Sequence, residues 1–182
     1  MKLLSRSEAT AQPWKNGGGR TWELATFPEG AGFEGMLWRL STAEVARDGP
    51  FSRFDGIDRT LTVLSGGSME LRFSQGGFVR LDACSAPLAF PGEAAVDARV
   101  SEEPVIDLNI MTRRGSFSHR VELLDAGHPV PKRTFALFVR EAPARLGDLE
   151  LEPGAVLLAE DDDLAGLSAD GPIYALTLRR HD

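Results

Sequence analysis

Apolar and polar residues alternate along most of this chain with a period of two, the spacing of strands that bury one face. Met36, Trp38 and Leu40 share one side of residues 33–40, and Leu61 and Val63 share one side of residues 59–65. Gly66-Gly67 comes next as a turn, after which Met69, Leu71 and Phe73 alternate with Glu70 and Arg72. The pattern predicts a hairpin over residues 59–73. Gly76-Gly77 turns the chain into a strand at 78–81, Pro87, Pro91 and Gly92 punctuate the stretch after it, and 105–112 reads as another apolar strand. Helical periodicity is confined to single turns at 42–45 and 164–167.

The second half repeats the scheme. Phe135, Leu137 and Val139 alternate with Ala136, Phe138 and Arg140. Leu149 and Leu151, the turn Glu152-Pro153-Gly154, an apolar run at 155–159 and another at 173–178 complete it. Short strands parted by Gly and Pro turns predict a sandwich or barrel. Residues 125–132, with Gly127, Pro129 and Pro131, read as a linker. The expectation is therefore an all-β chain with little helix, divided into an N-terminal unit at 1–124 and a C-terminal unit at 125–182.

Composition narrows the partners. The chain has 182 residues, 42% of them hydrophobic, enough for a sizeable core. A net charge of -7, with no basic stripe, argues against a nucleic-acid partner. Cys84 is the only cysteine, so neither an intrachain disulfide nor a cysteine metal cluster is available. The N-terminus turns polar at Ser5, Arg6 and Glu8, and no run reaches the length of a membrane span. A cytoplasmic protein without a membrane partner is expected. The acidic run at 160–163 reads as a solvated loop rather than a calcium site, since the alternating ligands and glycine of a calcium loop are missing.

One segment exceeds the needs of backbone. Pro13-Trp14-Lys15-Asn16-Gly17-Gly18-Gly19-Arg20-Thr21 places a cation, an amide and an aromatic ring around three glycines, whose N–H groups no side chain covers. Two readings stay open: part of an anion-accepting pocket, with Lys15 and Asn16 as contacts, or a glycine turn beside a surface lysine. Downstream come Glu23-Leu24, Trp38-Arg39-Leu40-Ser41 with Ala43 and Val45, Gly49-Pro50-Phe51-Ser52 with Phe54, Gly56 and Asp58-Arg59, and Asp107-Leu108-Asn109 with Met111, Arg113 and Arg114.

Taken together, and in this order, these blocks resemble the HutD/Ves family over roughly residues 13–114. Asp55 departs from the proline more usual there. The resemblance implies a bicupin, two RmlC-like jelly-roll β-barrels packed as one compact protein. For the HutD branch it implies a role in histidine utilisation, sensing or buffering a small metabolite such as urocanate or formylglutamate, and for the Ves branch a link to environmental stress. It supplies no reaction.

Cupins commonly hold a metal through paired histidines and a carboxylate. His119, His128 and His181 are not paired at ligand spacing, and residues 49–71 contain no histidine, so no metal and no cofactor are expected. Cys84 has no partner histidine nearby, no nucleophile elbow is present, and the glycine triplet lacks the Lys-Ser/Thr of a phosphate loop. Catalytic residues are not assigned.

Parity points to anion recognition instead. Arg59 shares a strand face with Leu61 and Val63, so if those face the interior its guanidinium does too, and a buried guanidinium needs a partner. Asp107, Glu23 or an acidic ligand could supply it; alternatively Arg59 reaches solvent or a structural ion pair. Asp107 and Asn109 interrupt one face of their strand and either line the pocket mouth or satisfy loop backbone. Trp14, Trp38, Phe51 and Phe54 are candidate walls, although core packing accounts for Trp38 equally well. The expected function is metal-free binding of a small carboxylate metabolite by Lys15, Asn16, Arg59, Asp107 and Asn109. The alternatives are a metal-independent isomerase or hydrolase and a stress-related scaffold forming a homodimer.

Overall fold

A computed structural model describes residues 1–14, 16–159, 164 and 166–181. Among them every regular element is a β-strand, and there is no helix. The chain groups into two compact units, Ala9–Ser118 with His181, and Met1–Glu8 with His119–Arg180. This grouping differs from a division into 1–124 and 125–182. The first strand, Lys2–Leu4, runs antiparallel to Val156–Leu158 and so joins the C-terminal unit.

The N-terminal unit is a two-sheet sandwich. One sheet orders Ala11–Pro13, Gly19–Phe27, Trp38–Val45, Val105–Arg113, Ile57–Gly66 and Leu88–Pro91 side by side. The other orders Gly49–Pro50, Val96–Val100, Met69–Phe73 and Phe78–Leu81. Val45, Leu61, Val63, Phe90 and Val105 from the first sheet pack with Met69, Leu71, Leu81, Val96 and Ala98 from the second. Each fully buried large apolar side chain contributes roughly 1.5–3 kcal/mol, as an upper estimate.

The hairpin expected over 59–73 does not form. Ile57–Gly66 pairs with Val105–Arg113 and Leu88–Pro91, whereas Met69–Phe73 pairs with Val96–Val100 and Phe78–Leu81. Gly66-Gly67 carries the chain from one sheet to the other. A side chain at Gly66 (φ +88°) would collide with the Pro104 carbonyl oxygen, so the crossing is made where only glycine fits. The local signal of two alternating runs and a glycine pair is the same for a hairpin as for a sheet-to-sheet corner.

Two other expectations change. The strand foreseen at 33–40 starts only at Trp38, and Met36 is buried in the preceding loop against Ile57 and Met111. Residues 42–45 are strand rather than helix, held in register with 105–108.

In the C-terminal unit, Lys2–Leu4, Val156–Leu158, Thr134–Val139, Ile173–Arg180 and Phe117–Leu124 form one sheet, and Leu149–Leu151, Ala144–Leu146 and Leu167–Ala169 a second. Leu137, Val139, Leu157, Ile173 and Ala175 meet Ala144 and Leu151 between them. The acidic run at 160–163 lies outside the described residues.

Candidate functional site

The inner face of the six-stranded sheet changes character along its strands. At one end Val45, Val63 and Val105 belong to the apolar core. Toward the other end Ala43, Ser41 and Arg39, then Asp107, Asn109 and Met111, then Arg59, line a cavity of about 650 Å³. Register sets these neighbours: Ala43 pairs with Asp107, Ser41 with Asn109, and Met111 stands between Arg39 and Arg59. A cavity of this size suits a small metabolite.

Arg59 is buried, at 6% exposure, and its Nη2 donates to Asn109 Oδ1 at 2.7 Å. Asn109 Nδ2 in turn donates to Asp107 Oδ1 at 2.6 Å. The guanidinium lies 5.2 Å from the Phe51 ring centroid and 4.9 Å from that of Phe90, two cation–π contacts. Among the described residues its Nε has no hydrogen-bond partner. Arg59 therefore has a neutral amide as its direct partner, and its counter-charge stands one side chain further away. Burial, opposed by the attraction of Asp107 and reinforced by Arg39, brings the Arg59 pKa down to about 10, so the group stays charged at neutral pH. Asp107, at 1% exposure, is pushed up to about 7 by burial; Arg59 and hydrogen bonds from Asn109 and the Ala43 backbone oppose that rise.

A second arginine, not anticipated from the sequence, faces the same cavity. Arg39 Nε donates to Glu23 Oε2 at 2.7 Å and Nη1 to Ser41 Oγ at 3.3 Å, and its guanidinium stacks 4.9 Å from the Phe33 ring. Phe33 also packs on Phe54, with ring centroids 4.8 Å apart. The loop carrying Phe33 is pinned by Arg113, which donates to the carbonyls of Met36 (2.9 Å), Glu34 (2.8 Å) and Phe33 (3.1 Å). The usable signal was parity: Arg39 alternates with Leu40 and shares its face with Ser41, Ala43 and Val45.

The glycine-rich segment forms the turn between Ala11–Pro13 and Gly19–Phe27. Asn16 Oδ1 accepts from Gly18 N at 3.0 Å, so this part of its amide holds the turn while the residue lines the cavity. Gly19 sits so close to the adjacent strand that a β-carbon would strike the Glu44 carbonyl oxygen. Trp14 Nε1 donates to Thr21 Oγ1 at 2.8 Å, and its ring meets Phe51 edge-on with centroids 6.3 Å apart. Lys15 lies outside the described residues.

The cavity thus gathers Asn16, Arg59, Asp107, Asn109, Trp14, Phe51 and Phe54. Trp38 is not among its walls. It alternates with Arg39 onto the opposite face and stacks on Phe27, with centroids 6.1 Å apart and planes at 13°. Asp58, on the face opposite Arg59, pairs with Arg114 at 2.8 Å. Among the described residues no three His, Cys, Asp or Glu side chains converge as metal ligands.

Two β-sandwich units, the first with an arginine-bearing, aromatic-walled cavity, define an all-β protein of the double jelly-roll class. The chain belongs to the HutD family, whose sequence profile matches residues 6–177. Protein Ves of Escherichia fergusonii is 37% identical over 126 residues, covering 69% of this chain and 61% of that protein. An uncharacterised 21.2 kDa protein of the hutC 3′ region of Pseudomonas putida is 34% identical over 125 residues, covering 69% and 65%. The chain thus spans less than two thirds of the length of these curated relatives. HutD from Pseudomonas fluorescens SBW25, solved in a formate condition, superposes with a TM-score of 0.86 at 27% identity, covering 100% of this chain and 99% of that one. A conserved protein of unknown function from Pseudomonas aeruginosa PAO1 gives 0.81 at 29% identity, covering 97% of each.

Proposed function

We propose that the chain is a binding protein for a small carboxylate metabolite, held in the cavity of the N-terminal sandwich and used in sensing or regulating histidine breakdown. The observation that carries this reading is Arg59: a charged guanidinium lining a cavity, with a neutral amide as its direct partner and an unpartnered Nε among the described residues. Such a group gains most from an acid that completes its hydrogen bonding. Aromatic walls suit the carbon body of the ligand, and Arg39, neutralised by Glu23 and set across Met111 from Arg59, adds polar contacts. Urocanate and formylglutamate have the required chemistry, and the histidine-utilisation names of the relatives support them. Lys15, next to Asn16 in sequence, is a further anion contact in this proposal.

The test is thermal denaturation with urocanate, formylglutamate and formate. A binder is stabilised as RT ln(1 + [L]/Kd), with no new species in the proton NMR spectrum of the ligand. Asp107, with its pKa at about 7, favours one second reading, a metal-independent isomerase or hydrolase using it as acid and base. New product resonances, lost in Asp107→Asn, would establish that reading instead.

A further inference from the structure

We propose that Asp107 makes the cavity proton-linked: an anion seated against Arg59 is accepted together with one proton, which the Asp107 carboxyl carries. The inference rests on the binding role proposed for this cavity and adds the charge state in which it works.

The geometry leads there by charge balance. The charged groups in and around the cavity besides Asp107 come from three strands of the same sheet, and of them Arg59 acts directly on Asp107. Ile57–Gly66 presents Arg59, Trp38–Val45 presents Arg39, and Gly19–Phe27 presents Glu23, bonded to Arg39. Leu88–Pro91 contributes the uncharged Phe90, and the segment after Gly49–Pro50 contributes Phe51 and Phe54, while its Arg53 turns away to the Glu93 carbonyl. Among the described residues the two arginines and two carboxylates sum to zero with Asp107 ionised, and Lys15, a ligand contact in the proposed function, balances one further ligand charge such as the second carboxylate of formylglutamate. An entering carboxylate then leaves two anions competing for Arg59 in a site where Asp107 is 1% exposed, and like charges in a buried site repel strongly. Taking one proton from solvent onto Asp107 restores neutrality. It also changes the carboxyl from a pure acceptor into a group that can donate, while Oδ1 goes on accepting from Asn109. Burial already holds the group near neutrality, so the proton is available at ordinary pH.

The role is that of a specificity residue. Asp107 in its charged form rejects the anion, and in its neutral form admits it. Asp107→Asn imitates the neutral form, since an amide keeps an acceptor for Asn109 and adds a donor.

Titration calorimetry of the full chain with formylglutamate tests this, because its carboxyl groups do not titrate between about pH 6 and pH 9 whereas the urocanate imidazole is less simple. Measured in two buffers of different ionisation enthalpy, binding should take up close to one proton above about pH 8, and Kd should rise up to about tenfold per pH unit above about pH 7. Asp107→Asn should bind with no proton uptake and a flat pH profile. Wild-type binding without proton exchange overturns the inference and leaves the binding role intact. Proton uptake that persists in Asp107→Asn overturns it by placing the proton elsewhere, and the wild-type buffer pair alone decides if the variant does not fold. No binding of formylglutamate, urocanate or formate at any pH overturns both.

Discussion

Arg59 and Asn109, fifty residues apart in sequence, are joined by a 2.7 Å hydrogen bond that runs diagonally between adjacent strands. The register partner of Arg59 is Met111, and that of Asn109 is Leu61. The long guanidinium therefore leans along the inner face toward the core, over Phe51 and Phe90, to reach the amide. This lean places the charge inside the cavity rather than at its rim.

Removing the link should be costly. Asn109→Leu leaves Arg59 Nη2 without an acceptor and Asp107 Oδ1 without its side-chain donor, both buried. A loss of about 2–4 kcal/mol in stability is expected from urea denaturation, from two unsatisfied groups at about 1–3 kcal/mol each with partial relaxation. Asn109→Asp should also destabilise, because it sets a second carboxylate beside Asp107.

Asp107 imposes a pH dependence of opposite sign to a salt-bridged carboxylate. Its folded pKa, about 7, lies above the usual carboxylate value, so the folded state holds the proton more tightly than the unfolded one. Its contribution to stability falls as pH rises from about 4 to about 7 and is level above that. Asp107→Asn should therefore gain on the wild type across that window and keep a constant advantage at higher pH, read as the difference between two denaturation series. Glu93 behaves the other way: the hydrogen bond from Arg114 holds it down at about 2, and the stability this supplies is lost as pH falls from about 4.5 toward about 2.

Glu23 screens the cavity. Its carboxylate takes Arg39 Nε at 2.7 Å, with Arg39 almost fully buried and Glu23 about one third exposed. Glu23→Gln should keep an acceptor for Arg39 while uncovering its charge, and carboxylate affinity should rise severalfold, with a steeper dependence on salt. Unchanged affinity would place Arg39 outside the field felt by the ligand.

Gly19 tests how the turn is held. An added methyl group meets the Glu44 carbonyl oxygen, which is backbone and cannot swing aside. Gly19→Ala should cost about 1–3 kcal/mol and loosen Trp14, observable as a change in its fluorescence.

The parts of this site that were legible in the sequence are those governed by strand parity. Arg59 shares a face with Leu61 and Val63, and Asp107 and Asn109 break the polarity of their own strand; period two is a local property that survives any tertiary arrangement. The all-β character came from the same signal. Pairing, by contrast, is not local. Whether Gly66-Gly67 closes a hairpin or crosses between sheets depends on Pro104, which lies far along the chain. Arg39 passed as an ordinary polar residue because its partner Glu23 and its stacking ring Phe33 come from a different strand and a loop. An aromatic residue such as Trp38 suits a pocket wall and core packing equally well on sequence alone; in the structure its neighbour Arg39 takes the inner position and parity sends the indole to the other face.

The central claim is that the guanidinium of Arg59 receives the ligand acid. Titration calorimetry with formylglutamate and with urocanate, on the wild type, Arg59→Lys and Arg59→Ala, tests it most directly. Saturable binding to the wild type is predicted, weakening by at least about tenfold in Arg59→Ala, with Arg59→Lys between them because a single point charge replaces a planar donor set. Equal affinity in a folded Arg59→Ala variant, verified by its unchanged β-sheet circular dichroism, would contradict it.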